Sequence, residues 1–239
     1  SEMCIRDSPG MGKTAFALNI AQQSAVKAGA SVLIFSLEMS QEQLGQRLIA
    51  MQARVESEKL KKGTLDLKDW DRINFALNEL NNTKIVIDDT PGISIMEMRN
   101  KCRRLKAEQG LDLIVVDYLQ LMTFDGRADS RQQEISALSR HLKLLAREMN
   151  CPVIVLSQLS RAPELRQDKR PMLSDLRESG SIEQDADIVM FLYRDDYYNE
   201  NTEKPGVCEI NIAKHRSGPT DRIDLTWVAR YTKFSDKAL

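Results

Sequence analysis

The chain has 239 residues, of which 42% are hydrophobic and 29% are charged, a composition typical of one large soluble globular domain. The net charge is −1, so bulk charge does not indicate nucleic-acid binding, and any such contact must come from local segments. No apolar run approaches the roughly 18 to 20 residues that span a bilayer, and no signal-peptide pattern opens the chain. We therefore expect a cytoplasmic protein without a membrane partner.

The four cysteines are scattered along the chain and form no Cys-x-x-Cys pair. No histidine stands near any of them. This pattern argues against a zinc site or a disulfide framework, and it fits a reducing compartment such as the cytoplasm.

Helical and strand-like hydrophobic patterns alternate after the opening residues. Predicted helices run from the segment GMGKT to Gly29 and then over about 41–53, 69–81, 94–110 and 130–149. Predicted strands cover 31–36, 84–88, 112–117, 152–158, 187–194, 208–216 and 222–228.

The order of these elements predicts an α/β fold. Strands that alternate with helices indicate a mainly parallel, twisted sheet with helices on both faces. The last three strands follow one another with hardly a helix between them, which indicates antiparallel strands at one edge. We find no internal repeat or linker, so residues 9–239 are predicted to form a single domain.

The segment GMGKT, residues 10–14, resembles the end of a phosphate-binding loop. Such a loop surrounds phosphates with backbone N–H groups at a helix N-terminus. Lys13 would reach the terminal phosphates, and Thr14 would hold Mg²⁺. The complete motif has a glycine five positions before Gly12, where this chain has Asp7, so the segment is a moderate signal by itself.

Asp117 ends the apolar strand LIVVD about a hundred residues after Lys13. Ligands gather at the carboxyl ends of parallel strands, and a carboxylate there could bind Mg²⁺ through water. The alternative is a turn residue at a strand end. The upstream loop and the strand order favour the metal-binding interpretation.

Glu38 and Gln158 follow two other predicted strands. A carboxylate at Glu38 could orient and deprotonate a water that attacks the terminal phosphate, although a solvated charge beside a helix cap is the plainer interpretation. Gln158 could hydrogen-bond the terminal phosphate and transmit its loss to the following loop. It could equally be an ordinary turn residue.

Several further strings in a fixed order resemble the C-terminal motor domain of DnaB-type replicative helicases. They are PGMGKTAFALNIA, FSLEMS, IVVDYLQLM, LSQLSR, LRESGSIEQDAD and IAKHRSGPT, and the similarity runs from about Pro9 to Val228. The resemblance implies a RecA-like ATPase fold with ATP and Mg²⁺ as cofactors. It also implies a 5′→3′ helicase that works as a hexameric ring on single-stranded DNA, with primase and a helicase loader as partners.

The same resemblance implies roles for individual residues. Lys13, Glu38 and Gln158 match catalytic residues, and Thr14 and Asp117 match the Mg²⁺ ligands. The nucleotide-binding segment would comprise Pro9, Gly10, Met11, Gly12, Lys13, Thr14 and Ala15.

Lys214 and Arg216 match a basic pair that each subunit inserts into the ATP site of its neighbour, with Arg216 as the arginine finger. Judged from the residues alone, the two cations would simply form the solvated face of an edge strand.

Arg177, Glu178 and Gly180 match a family segment that follows the backbone of single-stranded DNA. Aromatic residues make up 5% of the chain, so stacking on bases is poorly supplied. We therefore expect contacts mainly to phosphates, neutral to sequence and sensitive to salt. Without the resemblance, the segment would be interpreted as a polar loop and a short helix.

The opening residues SEMCIRDS do not resemble the buried strand that should precede a phosphate-binding loop. We expect residues 1–8 to be a leader foreign to the domain, from cloning or an error in sequence assembly, with the true first strand missing. The N-terminal domain and linker helix of the family are expected to be absent as well.

Two other functions remain open from the sequence. A RecA-like recombinase or clock-type ATPase would share the same core. A non-unwinding, ATP-dependent DNA clamp or loader would need neither Glu38 nor Arg216, and the presence of both speaks against it.

Overall fold

The structure is a computed structural model that describes residues 2–7, 10–124, 126, 128–158, 165–175 and 180–236. Its strands are β1 (Glu2–Asp7), β2 (Ser31–Ser36), β3 (Lys84–Asp88), β4 (Leu113–Asp117), β5 (Val153–Gln158), β6 (Ile188–Tyr193), β7 (Val207–His215), β8 (Asp221–Val228) and β9 (Lys233–Asp236). Its helices are α1 (Lys13–Ala28), α2 (Gln41–Ala53), α3 (Ser57–Lys62), α4 (Leu67–Asn81), α5 (Ile95–Gln109), α6 (Arg131–Met149) and α7 (Gly180–Asp185).

The nine strands form one sheet in the order β3-β2-β4-β5-β1-β6-β7-β8-β9. Pairing is parallel from β3 to β6 and antiparallel from β6 to β9. The predicted α/β class, with a mainly parallel sheet and antiparallel strands at one edge, is confirmed. Helix α3 and strand β9 were not predicted.

Local capping signals place most helix ends. Ser40 and Gln43 form a reciprocal capping box at the start of α2, and Ser94 with Glu97 does the same for α5. Helix α4 begins two residues before the predicted position 69, because Asp66 caps it through a box with Asp69.

Strand β1 corrects the prediction that the first strand is missing. Residues 2–7 form a central strand that pairs in parallel with both β5 and β6. Only its middle needs to be apolar, and there Cys4 and Ile5 are 0% exposed. The charged residues that argued against a strand lie at its two ends. That residues 1–8 are foreign to the domain stays a prediction.

Two apolar cores flank the sheet, as parallel strands covered on both faces require. One core packs α5 and α6 against the sheet and includes Cys4, Phe35 and Phe191. The other packs α1 and α2 on the opposite face and includes Ile5, Ile34 and Phe234. Among the described residues, no helix is long and apolar enough to cross a lipid bilayer.

Candidate nucleotide site

The phosphate-binding loop follows the carboxyl end of β1 and leads directly into α1. Gly10 and Gly12 have φ angles of 86° and 102°, in the region that favours glycine. A Cβ atom at Gly12 would lie 3.2 Å from the ring of Phe234. Gly12 caps α1 without a side-chain hydrogen bond, and the first turn carries no acidic residue. The N-terminus of α1 therefore presents its N–H groups and positive dipole end to an anion.

Residues 10–15 do not all face the same way. Gly10, Gly12, Lys13, Thr14 and Ala15 line one pocket. Met11 is buried in the protein instead, so its contribution is to anchor the loop. Pro9 lies outside the described residues.

The predicted pair of Mg²⁺ ligands is in direct contact. Thr14 Oγ1 donates a hydrogen bond to Asp117 Oδ2 over 2.8 Å, linking the start of α1 to the end of β4. Asp117 is 3% exposed, and burial raises the pKa of its carboxyl. The hydroxyl of Thr14 and the charges of Lys13 and Arg47 oppose that rise.

These oxygen atoms suit a hard cation. Mg²⁺ prefers a few protein oxygens completed by water and substrate phosphate, and a hydroxyl beside a carboxylate matches this preference. Within the described ranges, no group of three or more His, Cys, Asp or Glu side chains could hold a metal ion. The contact between the Thr14 hydroxyl and the Asp117 carboxylate places two such oxygens together, and these two residues would hold Mg²⁺ beside the phosphates.

Glu38 lies on the loop after β2 and lines the same pocket. The loop is fixed at its base, because the Leu37 N–H donates to the Asp117 carbonyl over 2.6 Å. Ser36 Oγ also donates to the Met39 carbonyl over 2.7 Å. Glu38 itself is exposed. A carboxylate held open to solvent beside a phosphate loop is in a position to contact water.

Gln158 ends β5 and lines the pocket from the far side. Gln120, which sequence reasoning missed, joins the ends of β4 and β5. Its Nε2 donates to Ser157 Oγ over 2.8 Å, and its Oε1 accepts from the Gln158 N–H over 3.4 Å. Arg131 in turn donates to the Gln120 carbonyl. Gln120 lies within the string IVVDYLQLM, but the string does not reveal this contact, which exists only once β4 and β5 are neighbours.

Arg47 is a second functional candidate missing from the sequence-based set. It lies on α2, is half-buried and lines the pocket with Glu38. Burial lowers the pKa of its guanidinium, whereas the carboxylates of Asp117 and Glu38 favour the charged form. A signal did exist: Arg47 stands three residues after Leu44 and four before Met51, so an arginine occupies the apolar stripe of α2.

The pocket has a volume of about 400 Å³. Its remaining wall comes from Tyr118, after β4, and from Trp227 and Thr232 near the C-terminal end of the chain. Arg194 lies over the Trp227 ring at 5.1 Å. Trp227 and Thr232 join the site only because the C-terminal strands fold back onto α1, so local sequence patterns do not indicate them.

Lys214 and Arg216 lie near the amino ends of the parallel strands, whereas the phosphate-binding loop lies at their carboxyl ends. His215 pairs with Ile188, the first residue of β6, whereas the loop follows the last residue of the parallel strand β1. The six residues of β1 span about 20 Å between these two ends. The structure therefore brings together Lys13, Thr14, Glu38, Asp117 and Gln158, and it leaves the basic pair outside this pocket.

The predicted DNA contacts are only partly described. Gly180 is the first residue of α7, and the carbonyl of Gln184 in the same helix accepts a hydrogen bond from Arg216. Arg177 and Glu178 lie outside the described residues.

Comparison with known proteins agrees with the resemblance seen in the motifs. Residues 2–236 match the family model described as the DnaB-like helicase C terminal domain. The chain is 57% identical over 227 residues to the replicative DNA helicase DnaC of Bacillus subtilis (strain 168), covering 95% of the chain and 50% of that protein. It is 56% identical over 227 residues to the replicative DNA helicase DnaB of Geobacillus stearothermophilus, with the same coverage of 95% and 50%.

Two solved structures share the fold. One is an ATPase domain that superposes with a TM-score of 0.95 at 43% identity, covering 99% of this chain and 84% of that one. The other is a DnaB-like replicative helicase, described together with its interactions with primase. It also has a TM-score of 0.95, at 42% identity, covering 100% of this chain and 57% of the other.

The chain spans about half the length of the curated relatives it matches. Both relatives are named as replicative helicases rather than as recombinases or clamps. On the extent of the family match and on these identities, the chain belongs to the family of DnaB-like helicase C-terminal domains, with the RecA-like ATPase fold.

Proposed function

We propose that this chain is the motor domain of a replicative DNA helicase, which hydrolyses ATP to move along single-stranded DNA and separate the duplex ahead of it. The observation that carries the proposal is a divided site. Lys13, the Thr14–Asp117 pair and Glu38 share one pocket at the carboxyl ends of the parallel strands. Lys214 and Arg216 lie near the amino ends of these strands.

Each residue of the pocket has a distinct task in hydrolysis. The N–H groups at the start of α1 and the ammonium of Lys13 bind the phosphates. Thr14 and Asp117 would hold Mg²⁺, and the bound ion would supply positive charge beside the phosphate oxygens. Glu38 accepts a proton from the attacking water and orients it. Gln158 contacts the terminal phosphate, and its backbone is fixed by Gln120.

The divided site implies an oligomer. Transferring the γ-phosphoryl group spreads negative charge over its equatorial oxygens, and a cation supplied by another subunit can accelerate the step by about 10³ to 10⁵. Arg216 is about 20 Å from the pocket of its own chain along the strands, so it would act on a neighbour. In a closed ring, every subunit supplies Lys214 and Arg216 to one neighbour and receives the same two residues from the other. We propose that this ring is a hexamer.

We further propose that Arg177, Glu178 and Gly180 contact the backbone of single-stranded DNA. Binding would be independent of sequence and weakened by salt, because phosphate contacts release counterions. Movement is proposed to run 5′→3′, as the family resemblance implies.

The partners and location follow from this role. One similar structure is a DnaB-like replicative helicase described with its interactions with primase. We propose primase and a helicase loader as partners of the protein to which this chain corresponds. A replicative helicase works where the chromosome is, which in bacteria is the cytoplasm.

The proposal is tested by measuring ATP hydrolysis with and without single-stranded DNA, for the parent chain, Glu38→Gln and Arg216→Ala. We expect hydrolysis that DNA stimulates, and a fall of at least about 10³-fold in both variants. Both substitutions lie on solvent-accessible side chains and should leave folding intact.

Three outcomes would count against the proposal. Full activity in Glu38→Gln would remove Glu38 from the chemistry. Full activity in Arg216→Ala would refute the interface mechanism and favour a clamp or a recombinase. Hydrolysis stimulated by DNA, without separation of a forked duplex in the assembled protein, would leave an ATPase that is not a helicase.

A further inference from the structure

The last turn of α7 is held by three cations from other elements. Lys214 Nζ donates to the carbonyls of Glu183 and Ala186, the latter over 2.7 Å. Arg216 Nη2 donates to the Gln184 carbonyl over 2.6 Å. The carbonyls at the end of a helix lack partners within it and carry the negative end of its dipole, so cations bind well there. We call this turn, residues 183–186, the seat of the basic pair, because its carbonyls bind Lys214 and Arg216.

A third cation, Lys143, binds the same turn of α7. Lys143, on α6, donates to the carbonyl of Asp185 over 2.8 Å and to the carboxylate of Asp187. With it, each of the four residues 183–186 has its carbonyl bonded to a lysine or arginine. The Lys143 side chain is only 13% exposed, so it acts within the protein rather than towards a partner.

Asp187 connects the seat to the proposed arginine finger. Its Oδ1 lies 3.7 Å from Arg216 Nε, and its carbonyl accepts from the Arg216 N–H over 2.9 Å. Burial opposes ionisation of this carboxyl, but hydrogen bonds from Lys143 and from the Glu2 N–H outweigh burial and lower its pKa. Asp187 is therefore a carboxylate whose Oδ1 lies near both Lys143 and Arg216, while its Oδ2 accepts from the Glu2 N–H.

We propose that Asp187 and Lys143 are positioning residues for Lys214 and Arg216, setting the direction in which the basic pair reaches into the neighbouring subunit's ATP site. The proposal rests on the interface mechanism proposed above. The Arg216 side chain is 50% exposed while its Nη2 donates to the Gln184 carbonyl, so the guanidinium is held at one nitrogen and is still accessible from solvent. A long cation without a seat samples many rotamers, and a misplacement of about 1 Å can cost about 10²-fold in rate.

The first test compares ATP hydrolysis by Asp187→Asn and Lys143→Met with that of the parent chain, under conditions in which the parent is active. We expect kcat to fall at least about tenfold, with KM for ATP changed by less than about twofold, because the nucleotide-binding pocket of each subunit is untouched. Equal losses of ATP binding and kcat would contradict a positioning role.

Two matched controls isolate the contacts. Asp185→Asn makes the same change of charge two residues away and keeps the carbonyl that Lys143 uses, and its carboxylate bonds to none of the three cations in the described structure. Lys143→Arg keeps a donor at the seat and should retain more activity than Lys143→Met. If Asp185→Asn were as impaired as Asp187→Asn, a general effect of charge would replace the proposal.

The decisive test mixes two impaired proteins. An Asp187→Asn subunit keeps its own Glu38 and pocket, whereas a Glu38→Gln subunit keeps a correctly seated Arg216. In randomly mixed rings, about one interface in four combines the two intact halves, so hydrolysis should rise above that of either protein alone. A folding defect, or an action of Asp187 on its own pocket, would give no recovery and would overturn the proposal.

These results separate the inference from the proposed function. If Arg216→Ala leaves hydrolysis unchanged, the interface mechanism fails and this inference falls with it. If Arg216→Ala is inactive while Asp187→Asn and Lys143→Met are fully active, only the positioning role fails. Should Asp187→Asn not fold, the Lys143→Met and Lys143→Arg pair tests the same seat.

Discussion

The burial of Asp117 supports the Mg²⁺-binding role that we propose for it. It is almost fully buried, bonded to the hydroxyl of Thr14, and close to the charges of Lys13 and Arg47. Burial disfavours its charge, and a divalent cation bound beside Thr14 would favour it. The charged form of Asp117 is thus more favourable with a cation bound beside it than in the free protein.

We predict that Asp117→Asn loses Mg²⁺-dependent ATP hydrolysis by about 10²-fold or more without a loss of stability, because the amide keeps the shape and removes a buried charge. The measurements are hydrolysis against Mg²⁺ concentration and thermal unfolding with and without Mg²⁺ and ATP. A variant that keeps the parent's Mg²⁺ dependence would show that another residue holds the metal.

Strand β1 shows how a poor local pattern can still form a central element. Its N–H and C=O groups complete the ladders of β5 and β6 on its two sides. Cys4 faces one core and Ile5 the other, so two adjacent residues satisfy both faces of the sheet. Its first residue carries a cost, because Glu2 is 1% exposed and its Oε2 has no hydrogen-bond partner among the described residues.

The buried position of Glu2 predicts a dependence of stability on pH. Burial raises the pKa of Glu2 from 4.5 to about 8, with Lys143 opposing the rise. Between these two values the folded chain holds a proton that the unfolded chain releases, so this group's contribution to stability is complete below pH 4.5 and is lost as pH rises through about 8.

We therefore expect Glu2→Gln to be more stable than the parent at pH 8 and above, by on the order of a few kcal/mol at most, and nearly equal to it near pH 4.5. Denaturant unfolding of both chains across this range measures the difference. A gap that stays constant with pH would mean that Glu2 does not change protonation on folding.

At the scale of the molecule, the sheet separates the two residue groups that we propose form one catalytic site between subunits. Parallel strands carry the nucleotide-binding residues at their carboxyl ends, and the antiparallel return of β7 brings Lys214 and Arg216 to the amino ends. One chain cannot join its own two groups across about 20 Å of strand. Hydrolysis should therefore depend on assembly.

We predict that the rate of ATP hydrolysis per subunit falls on dilution, in step with dissociation of the assembly, because each pocket loses its neighbour's cations. Rates measured over a range of protein concentrations, together with sedimentation at the same concentrations, test this. A constant rate per subunit in a fully monomeric sample would show that the pocket is complete within one chain.

The sequence by itself determined the features that depend on neighbouring residues. The glycines of residues 10–12, the capping boxes and the apolar runs of β2, β4 and β5 place the elements, because cap, turn and burial patterns act over a few positions. Asp117 could be identified in the same way, since a carboxylate at the end of a buried parallel strand meets the phosphate-binding loop in this fold.

The tertiary structure decided everything that depends on which elements become neighbours. Strand β1 forms because two buried strands flank it, although its own composition argues against a strand. Arg47, Gln120 and Trp227 join the site through contacts distant in sequence. The separation of Arg216 from Lys13 follows from the direction of β7, and local residue patterns do not encode the direction in which a distant strand pairs.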